Sequence, residues 1–232
     1  DEALVDEILA AADQALAEEA LYRRCRPLVV GDQSSMAYAL RVAEKRRGLR
    51  LALNRVESVE QAKFTCGTID VLDLGLIRPE QIPDTAALAQ PRPFGIGPSR
   101  EGGEAAFSYV ARLIELALAG KVDATVTNAL SKEAINLAGH HFAGHTEIYA
   151  HYTHTQKFAM MLSWNDLRVV HVSTHVSLRQ ACDLVKKERV LACIRLAHRA
   201  CKALGIADPA IGVAGLNPHC GENGMFGTEE MQ

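Results

Sequence analysis

Short apolar runs alternate with amphipathic segments along the 232-residue chain, and this alternation limits the folds open to it. Early in the chain, three apolar runs bounded by turn residues are predicted strands: PLVVGD (27–32), LRLALNRV (49–56) and IDVLDLG (69–75). Between the first two lies a predicted helix, SSMAYALRVAEKRRG (34–48), with serine at its start and glycine at its end. Because strands that alternate with helices form parallel sheets with both faces covered, we expect an α/β fold.

The second half of the chain continues the same pattern. Its predicted helices are 104–120, 131–139 and 186–205. Its predicted strands are 123–129, 158–164, 167–174 and 210–219, the middle two adjacent and joined by Asn165-Asp166. An amphipathic helix is predicted over 4–16, and prolines and glycines interrupt the pattern over 76–103. We therefore expect residues 1–232 to form one α/β unit, or two subdomains with a crossing near 76–103.

Composition excludes two classes of function. The net charge is −3 and no long basic block occurs, so the chain carries no electrostatic footprint for nucleic acid. Its apolar runs are too short to span a bilayer, and its first residues lack a signal-peptide layout. The six cysteines form no CxxC pair. We expect a cytoplasmic protein that needs no membrane partner and keeps reduced, mostly buried thiols.

Two histidines follow predicted strands directly. His175 comes just after the strand 167–174, and His219 ends the strand 210–219. In open α/β sheets, ligands bind at the carboxyl ends of strands, so neighbouring strands would bring both imidazoles to one rim. Neutral imidazoles bind divalent metals well. The alternative is that each histidine caps its strand and hydrogen-bonds to the backbone.

Five of the nine histidines crowd into GHHFAGHTEIYAHYTH (139–154). Gly144 interrupts this segment, so His145 and Thr146 are expected to begin a new helix, whose first backbone N–H groups favour an anion. We interpret both as contacts to a phosphate or carboxylate, and the other four histidines as surface or interface residues. Lys132, after TNALS, could pair with a phosphate or carry a proton, or be merely a solvated lysine.

A further stretch, FGIGPSREGG (94–103), invites comparison with the dinucleotide-binding fingerprint. Arg100 stands where that fingerprint needs its third glycine, and no strong strand precedes the stretch. A loop with flexible backbone is the better interpretation, so the sequence assigns no cofactor-binding residue.

Three motifs in this order and spacing resemble the 4-hydroxythreonine-4-phosphate dehydrogenase (PdxA-like) family. They are TNALSKEAINLAGHHFAGHTEIYA (127–150), LRVVHVSTHVSLRQACD (167–183) and VAGLNPHCGENGMFGTEE (213–230). The resemblance implies a fold like that of isopropylmalate dehydrogenase and a homodimer with a shared active site. It also implies a pyridoxine-biosynthesis type of oxidoreductase that uses NAD or NADP and a divalent metal (Zn, Mg, Co or Mn). Such an enzyme oxidises and decarboxylates a 4-phosphorylated 3-hydroxy acid.

Matched to the family's motifs, His145 and Thr146 become substrate contacts, and His175 and His219 become metal ligands. Lys132 becomes the expected catalytic lysine. The HHF and HVS variants resemble the branch that acts on 4-phospho-D-threonate or 4-phospho-D-erythronate. The alternative substrate is 4-phosphohydroxy-L-threonine.

The chain also departs from the family's pattern. It lacks the GDPAGIGPE-like opening, and the usual TGP or TAP before the lysine is TNA (127–129). The family continues beyond GTEE with a third metal histidine and much of the NAD site, so both ends of the family fold are expected to be incomplete here. We therefore expect this chain to be inactive by itself. Alternatives are a truncated or non-catalytic substrate-binding homologue, or a phosphate acyltransferase-like enzyme on a related fold.

Overall fold

The computed structural model of the protein describes residues 15–82 and 98–231. The chain divides into two compact units, Asp1–Thr153 and His154–Gln232. The predicted helix over 4–16 lies outside the described residues except at its last two positions, and so does most of the segment 76–103. A subdomain crossing near 76–103 stays a prediction.

The first unit contains a three-stranded parallel sheet. Its elements up to the sheet's last strand are α1 (Glu19–Tyr22), β1 (Val29–Gly31), α2 (Gln33–Arg47), β2 (Ala52–Val56) and β3 (Thr68–Asp73). The strand order is β1-β3-β2, with Val29 opposite Val71 and Val56 opposite Leu72. As the central strand, β3 buries Ile69, Val71 and Leu72, which matches the continuous apolar run expected of a strand covered on both faces. The predicted α/β class with a parallel sheet is confirmed.

Three helices complete the first unit: α3 (Arg100–Leu118), α4 (Lys132–Leu137) and α5 (His145–Tyr152). Serines begin two of them, since the Ser99 side chain accepts from the Gly102 N–H at 3.0 Å and that of Ser131 from the Ala134 N–H at 3.2 Å. A buried cluster joins the three helices: Phe107, Val110, Ile114, Ile135 and Ile148. This cluster fixes the position of α4 and α5, which carry the candidate substrate contacts.

The strand predicted over 123–129 does not form. These residues join no ladder with any described strand, and Val126 is 87% exposed. An apolar run becomes a strand only when a neighbour pairs with its backbone groups, which a local pattern cannot reveal. The segment is held by side chains instead, because the Tyr149 hydroxyl donates to Thr125 Oγ1 at 2.8 Å.

The second unit contains a hairpin and two helices: β4 (Met161–Trp164), β5 (Leu167–Val170), α6 (Leu178–Leu184) and α7 (Lys187–Ala203). Strands β4 and β5 pair antiparallel, and Asn165 at the turn has a left-handed φ of 48°. The predicted pair of adjacent strands joined by Asn165-Asp166 is thus confirmed. However, β5 ends at Val170, so its predicted continuation over 171–174 is wrong.

The final predicted strand, 210–219, is also wrong. Residues 210–215 pair with no described strand, and Val213 is 61% exposed. From Pro218 to Gly224 the chain instead winds into a tight turn, and a single 3-10 turn follows at Glu229–Met231.

Within the described part of the chain, no helix is both long enough and apolar enough to cross a bilayer. All six thiols are free, as expected. Only Cys193 and Cys201 are buried, so the expectation of mostly buried thiols is wrong.

Candidate functional site

Helix α5 begins at His145, as the glycine before it predicted. Gly144 is the N-cap residue with extended backbone (φ 169°, ψ −171°), and its carbonyl accepts the Ile148 N–H at 3.3 Å. The backbone N–H groups of His145, Thr146 and Glu147 therefore precede the first intrahelical hydrogen bond. Such groups, together with the helix dipole, favour a bound anion.

The imidazole of His145 is half-buried at this helix start. Burial lowers the pKa of His145 below its ordinary value of 6.5. At neutral pH the ring is therefore uncharged, and it can offer a substrate one donor and one acceptor rather than a positive charge. Any positive charge that the site needs must come from another residue.

Lys132 supplies such a charge from the first turn of α4, where it is exposed. A Cβ atom on Gly144 would lie 4.0 Å from Lys132 Cε and 3.5 Å from Glu147 Oε2. Gly144 thus lies between the aliphatic part of the Lys132 side chain and the first turn of α5. The structure brings Lys132 close to the helix start that His145 and Thr146 form.

Two of the other histidines in the crowded segment, His140 and His141, make polar contacts within the first unit. His140 stacks on Phe107 with ring centroids 3.6 Å apart, and its Nε2 lies 2.9 Å from Glu104 Oε2. His141 Nδ1 lies 2.8 Å from Asn136 Oδ1. Each of these two imidazoles thus has a polar partner of its own within the described residues.

His175 and His219 lie in the second unit on unusual backbone. Both are exposed, and both have left-handed φ values, 56° for His175 and 50° for His219. Within the described residues, no hydrogen bond joins either imidazole to another group, although the His219 ring lies 6.1 Å from that of Phe226. The alternative that each histidine caps a strand by bonding to backbone has no support here.

The turn that carries His219 is left-handed over five consecutive residues, with φ values from 44° to 83° between His219 and Asn223. Asn217 braces it. The Asn217 amide nitrogen Nδ2 donates to Glu229 Oε2 at 2.7 Å and to Glu230 Oε2 at 2.9 Å, and its backbone N–H donates to Glu230 Oε1 at 2.7 Å. The carboxylates of Glu229 and Glu230, which follow the turn, therefore hold Asn217 at its start.

His175 and His219 do not follow neighbouring strands of one sheet, so the expectation that both lie on one rim is not supported. β5 ends five residues before His175, and the strand expected before His219 does not form. Among the described residues, no group of three or more His, Cys, Asp or Glu side chains could hold a metal ion. Imidazoles are suitable ligands for a divalent metal, but two of them supply only part of the usual set of protein ligands.

Sequence reasoning missed the buried side chain of Asp32 and one buried oxygen of the half-buried Glu147. Glu147 lies in the GHTE motif, and its Oε2 atom is buried with no hydrogen-bond partner among the described residues. Asp32 ends PLVVGD at the carboxyl end of β1 and is 1% exposed. The strand-end rule could have identified Asp32, whereas nothing in the local pattern marks Glu147.

Asp32 organises the loop that follows β3. Its carboxylate accepts the N–H groups of Leu76 at 2.9 Å and Ile77 at 2.6 Å, and the hydroxyl of Tyr109 at 2.6 Å. Burial, and then the hydrogen bond to Asp32, raise the pKa of Tyr109 above its ordinary value of 10.0. The phenol thus stays protonated as a donor, and Asp32 acts as a structural anchor.

Comparison with known proteins decides the family. The family model described as pyridoxal phosphate biosynthetic protein PdxA matches residues 23–232. The chain belongs to this family. It is 42% identical over 217 residues to the D-threonate 4-phosphate dehydrogenase of Cupriavidus necator, covering 94% of this chain and 60% of that relative.

Solved structures of the PdxA family share the fold. A 4-hydroxythreonine-4-phosphate dehydrogenase from Klebsiella pneumoniae superposes with a TM-score of 0.79 at 35% identity. One from Burkholderia phymatum gives 0.77 at 38% identity. Each match covers 97% of this chain and 63% of the other. The chain thus spans less than two thirds of the length of these relatives.

Proposed function

We propose that this chain contributes the substrate contacts and two metal ligands of an NAD(P)-dependent, divalent-metal-dependent dehydrogenase. The reaction is the oxidation and decarboxylation of a 4-phosphorylated 3-hydroxy acid. The observation that carries the proposal is the PdxA family match over residues 23–232. The 42% identity to a D-threonate 4-phosphate dehydrogenase favours 4-phospho-D-threonate or its erythronate epimer over 4-phosphohydroxy-L-threonine.

In this proposal the start of α5 binds an anionic group of the substrate. The free N–H groups of the first turn and the uncharged imidazole of His145 donate hydrogen bonds, and Thr146 adds its hydroxyl. Lys132 neutralises the bound anion and exchanges a proton with the substrate hydroxyl that is oxidised. All three lie in the first unit, on the helices that the cluster around Ile135 and Ile148 fixes.

His175 and His219 would hold the divalent metal, since both imidazoles are exposed and unbonded to described residues. A bound metal would supply Lewis-acid stabilisation of charge on the substrate oxygen, and a bound nicotinamide would supply the hydride acceptor. The family resemblance further supports a cytoplasmic homodimer whose subunits share the active site.

A complementation experiment tests this function. The chain is assayed alone, and fused to the part of the Cupriavidus necator enzyme that follows the matched region, for NADH or NADPH formation with Mn²⁺ or Mg²⁺. We expect the fusion to oxidise 4-phospho-D-threonate faster than 4-phosphohydroxy-L-threonine, and the chain alone to be inactive.

A matched control makes the result specific. The fusion that carries Lys132→Met should fold and lose turnover. A fusion that binds 4-phospho-D-threonate without oxidising it would favour the non-catalytic homologue. Turnover of an acyl phosphate or acyl-CoA without NAD would favour the phosphate acyltransferase alternative.

A further inference from the structure

Glu147 presents a buried carboxylate oxygen that lacks a partner. Its Oε2 atom is inaccessible to solvent and has no hydrogen bond within the described residues, although the residue as a whole is only half-buried. A buried unsatisfied polar atom costs roughly 1–3 kcal/mol, and more when it is charged. Such an oxygen therefore calls for a donor that can reach it.

A donor lies across Gly144. The point where a Gly144 Cβ would stand is 3.5 Å from Glu147 Oε2 and 4.0 Å from Lys132 Cε. Lys132 is exposed and flexible, and its ammonium group is one bond beyond Cε. The absent side chain of Gly144 leaves the space through which the two groups can meet.

The charge of Glu147 also conflicts with the proposed ligand. Glu147 is the third residue of α5, in the same first turn whose N–H groups favour an anion. An unpaired carboxylate there would repel a phosphate, whereas a carboxylate paired with an ammonium group would not. A pair between Glu147 and Lys132 gives Oε2 a donor and neutralises the charge that would repel a phosphate. The remaining ammonium protons stay available for the substrate.

We propose that Glu147 is a positioning residue for Lys132. Its Oε2 accepts a hydrogen bond from Lys132 Nζ and holds the ammonium group over the start of α5. The inference rests on the proposed function for the role of Lys132, but the pair itself can be measured without turnover.

The test is the rate at which acetic anhydride modifies Lys132, followed by mass spectrometry of its peptide. Exposed Lys187 of the second unit serves as the internal reference in each digest. An ammonium group held by a carboxylate reacts more slowly than one without a partner. We expect Glu147→Gln to speed modification of Lys132 relative to Lys187 by roughly two- to fivefold, the range for a partly exposed ion pair.

A second variant keeps the test decisive if the Glu147→Gln protein does not fold. Gly144→Ala keeps both charges, and the extended φ of 169° suits any residue. The added methyl group would make ordinary contacts at 3.5 and 4.0 Å while filling the gap, so it should also speed modification of Lys132. Glu147→Asp should restore part of the protection. Glu133→Gln, which removes an exposed carboxylate beside Lys132 in the same turn, is the matched control and should change nothing.

Unchanged modification of Lys132 in folded Glu147→Gln and Gly144→Ala protein overturns the inference. So does an equal acceleration in Glu133→Gln, which would indicate a general charge effect. Absence of turnover in the fusion enzyme would instead count against the proposed function, because the labelling experiment needs neither substrate nor cofactor.

Discussion

At the scale of single residues, the two proposed metal ligands combine free imidazoles with strained backbone. A left-handed φ at a residue other than glycine costs about 1 kcal/mol or more, and persists where the surrounding structure imposes it. His219 heads a turn that Asn217, Glu229 and Glu230 brace. These hydrogen bonds therefore account for the left-handed backbone at His219.

We expect His175→Ala and His219→Ala each to weaken binding of Zn²⁺ or Mn²⁺ by roughly tenfold or more while the fold is kept. Each variant removes one of the two proposed ligands, and neither imidazole makes a hydrogen bond within the described residues. Isothermal titration calorimetry on the chain measures the change, and His198→Ala, an exposed histidine of α7, is the control. Equal affinities in all four proteins would remove the metal assignment.

The half-buried His145 predicts a pH dependence of stability. Its pKa is lower in the folded state than its ordinary 6.5, so the unfolded chain binds more protons as the pH falls through that value. Stability should therefore decrease below about pH 6.5, and decrease less in His145→Gln. Urea denaturation at about pH 7.5 and about pH 5.5 measures this difference. Parallel losses in both proteins would show that His145 is not responsible.

The buried Asp32 should be sensitive to loss of an acceptor. In Asp32→Asn one carboxylate oxygen becomes an NH₂ group, which cannot accept the N–H of Leu76 or Ile77 or the hydroxyl of Tyr109. We expect the free energy of unfolding to fall by roughly 2 kcal/mol or more, because buried donors lose their partner. Tyr109→Phe, which removes a single hydrogen bond, should cost about 1 kcal/mol. Urea denaturation measures the free energy of unfolding of both variants. Equal stability of the two would contradict this prediction.

At the scale of elements, the sequence predicted what depends on local pattern. The helix predicted over 104–120 is present as α3, although it starts four residues earlier behind the Ser99 cap, and β3 follows from a continuous apolar run. The strands predicted over 123–129 and 210–219 failed because a strand depends on a distant partner. The left-handed turn after Pro218 was beyond prediction, since four of its five residues are not glycine and the bracing glutamates lie up to thirteen residues away.

The candidate site residues also divide into those that local sequence signals predict and those that depend on distant contacts. Gly144 and the helix start at His145 could be predicted from local signals. Glu147 could not, because nothing in the local pattern marks the burial of its Oε2 atom. The metal-binding role proposed for His175 and His219 now rests on the family motifs alone, because the structure does not support the strand-end interpretation that also suggested it.

The contact between α3 and α4 leaves no room for a side chain at Gly103. A Cβ there would lie 1.9 Å from the Ala134 carbonyl oxygen, so the helices must separate to accept one. We expect Gly103→Ala to destabilise the protein by about 1–3 kcal/mol or more, and to displace α4 with its Lys132. Gly212→Ala, at a position with nothing within 4 Å, should have little effect in the same thermal unfolding experiment. Equal melting temperatures would contradict the close approach.

At the scale of the whole molecule, the two units differ in how much apolar surface they bury. Within the described residues, all three hydrophobic clusters belong to residues before 154. In the described part of the second unit, the buried apolar side chains are Cys193 and Cys201, while Trp164 is 76% and Leu178 88% exposed. Since apolar burial is the main favourable term in folding, the first unit has the means to fold alone and the second does not.

We therefore expect residues 1–153, expressed alone, to unfold in one cooperative thermal transition and to disperse amide signals in NMR spectra. Residues 154–232 alone should show weak helicity and no cooperative transition, because an isolated hairpin and the two helices α6 and α7 are marginal in water. The intact chain, melted under the same conditions, is the control. The pKa of His145 should also stay lowered in the isolated first unit. Burial causes this shift, and His145 is half-buried within the first unit. A disordered 1–153 fragment, or a cooperative 154–232 fragment, would show that the hydrophobic clusters do not set the order of stability.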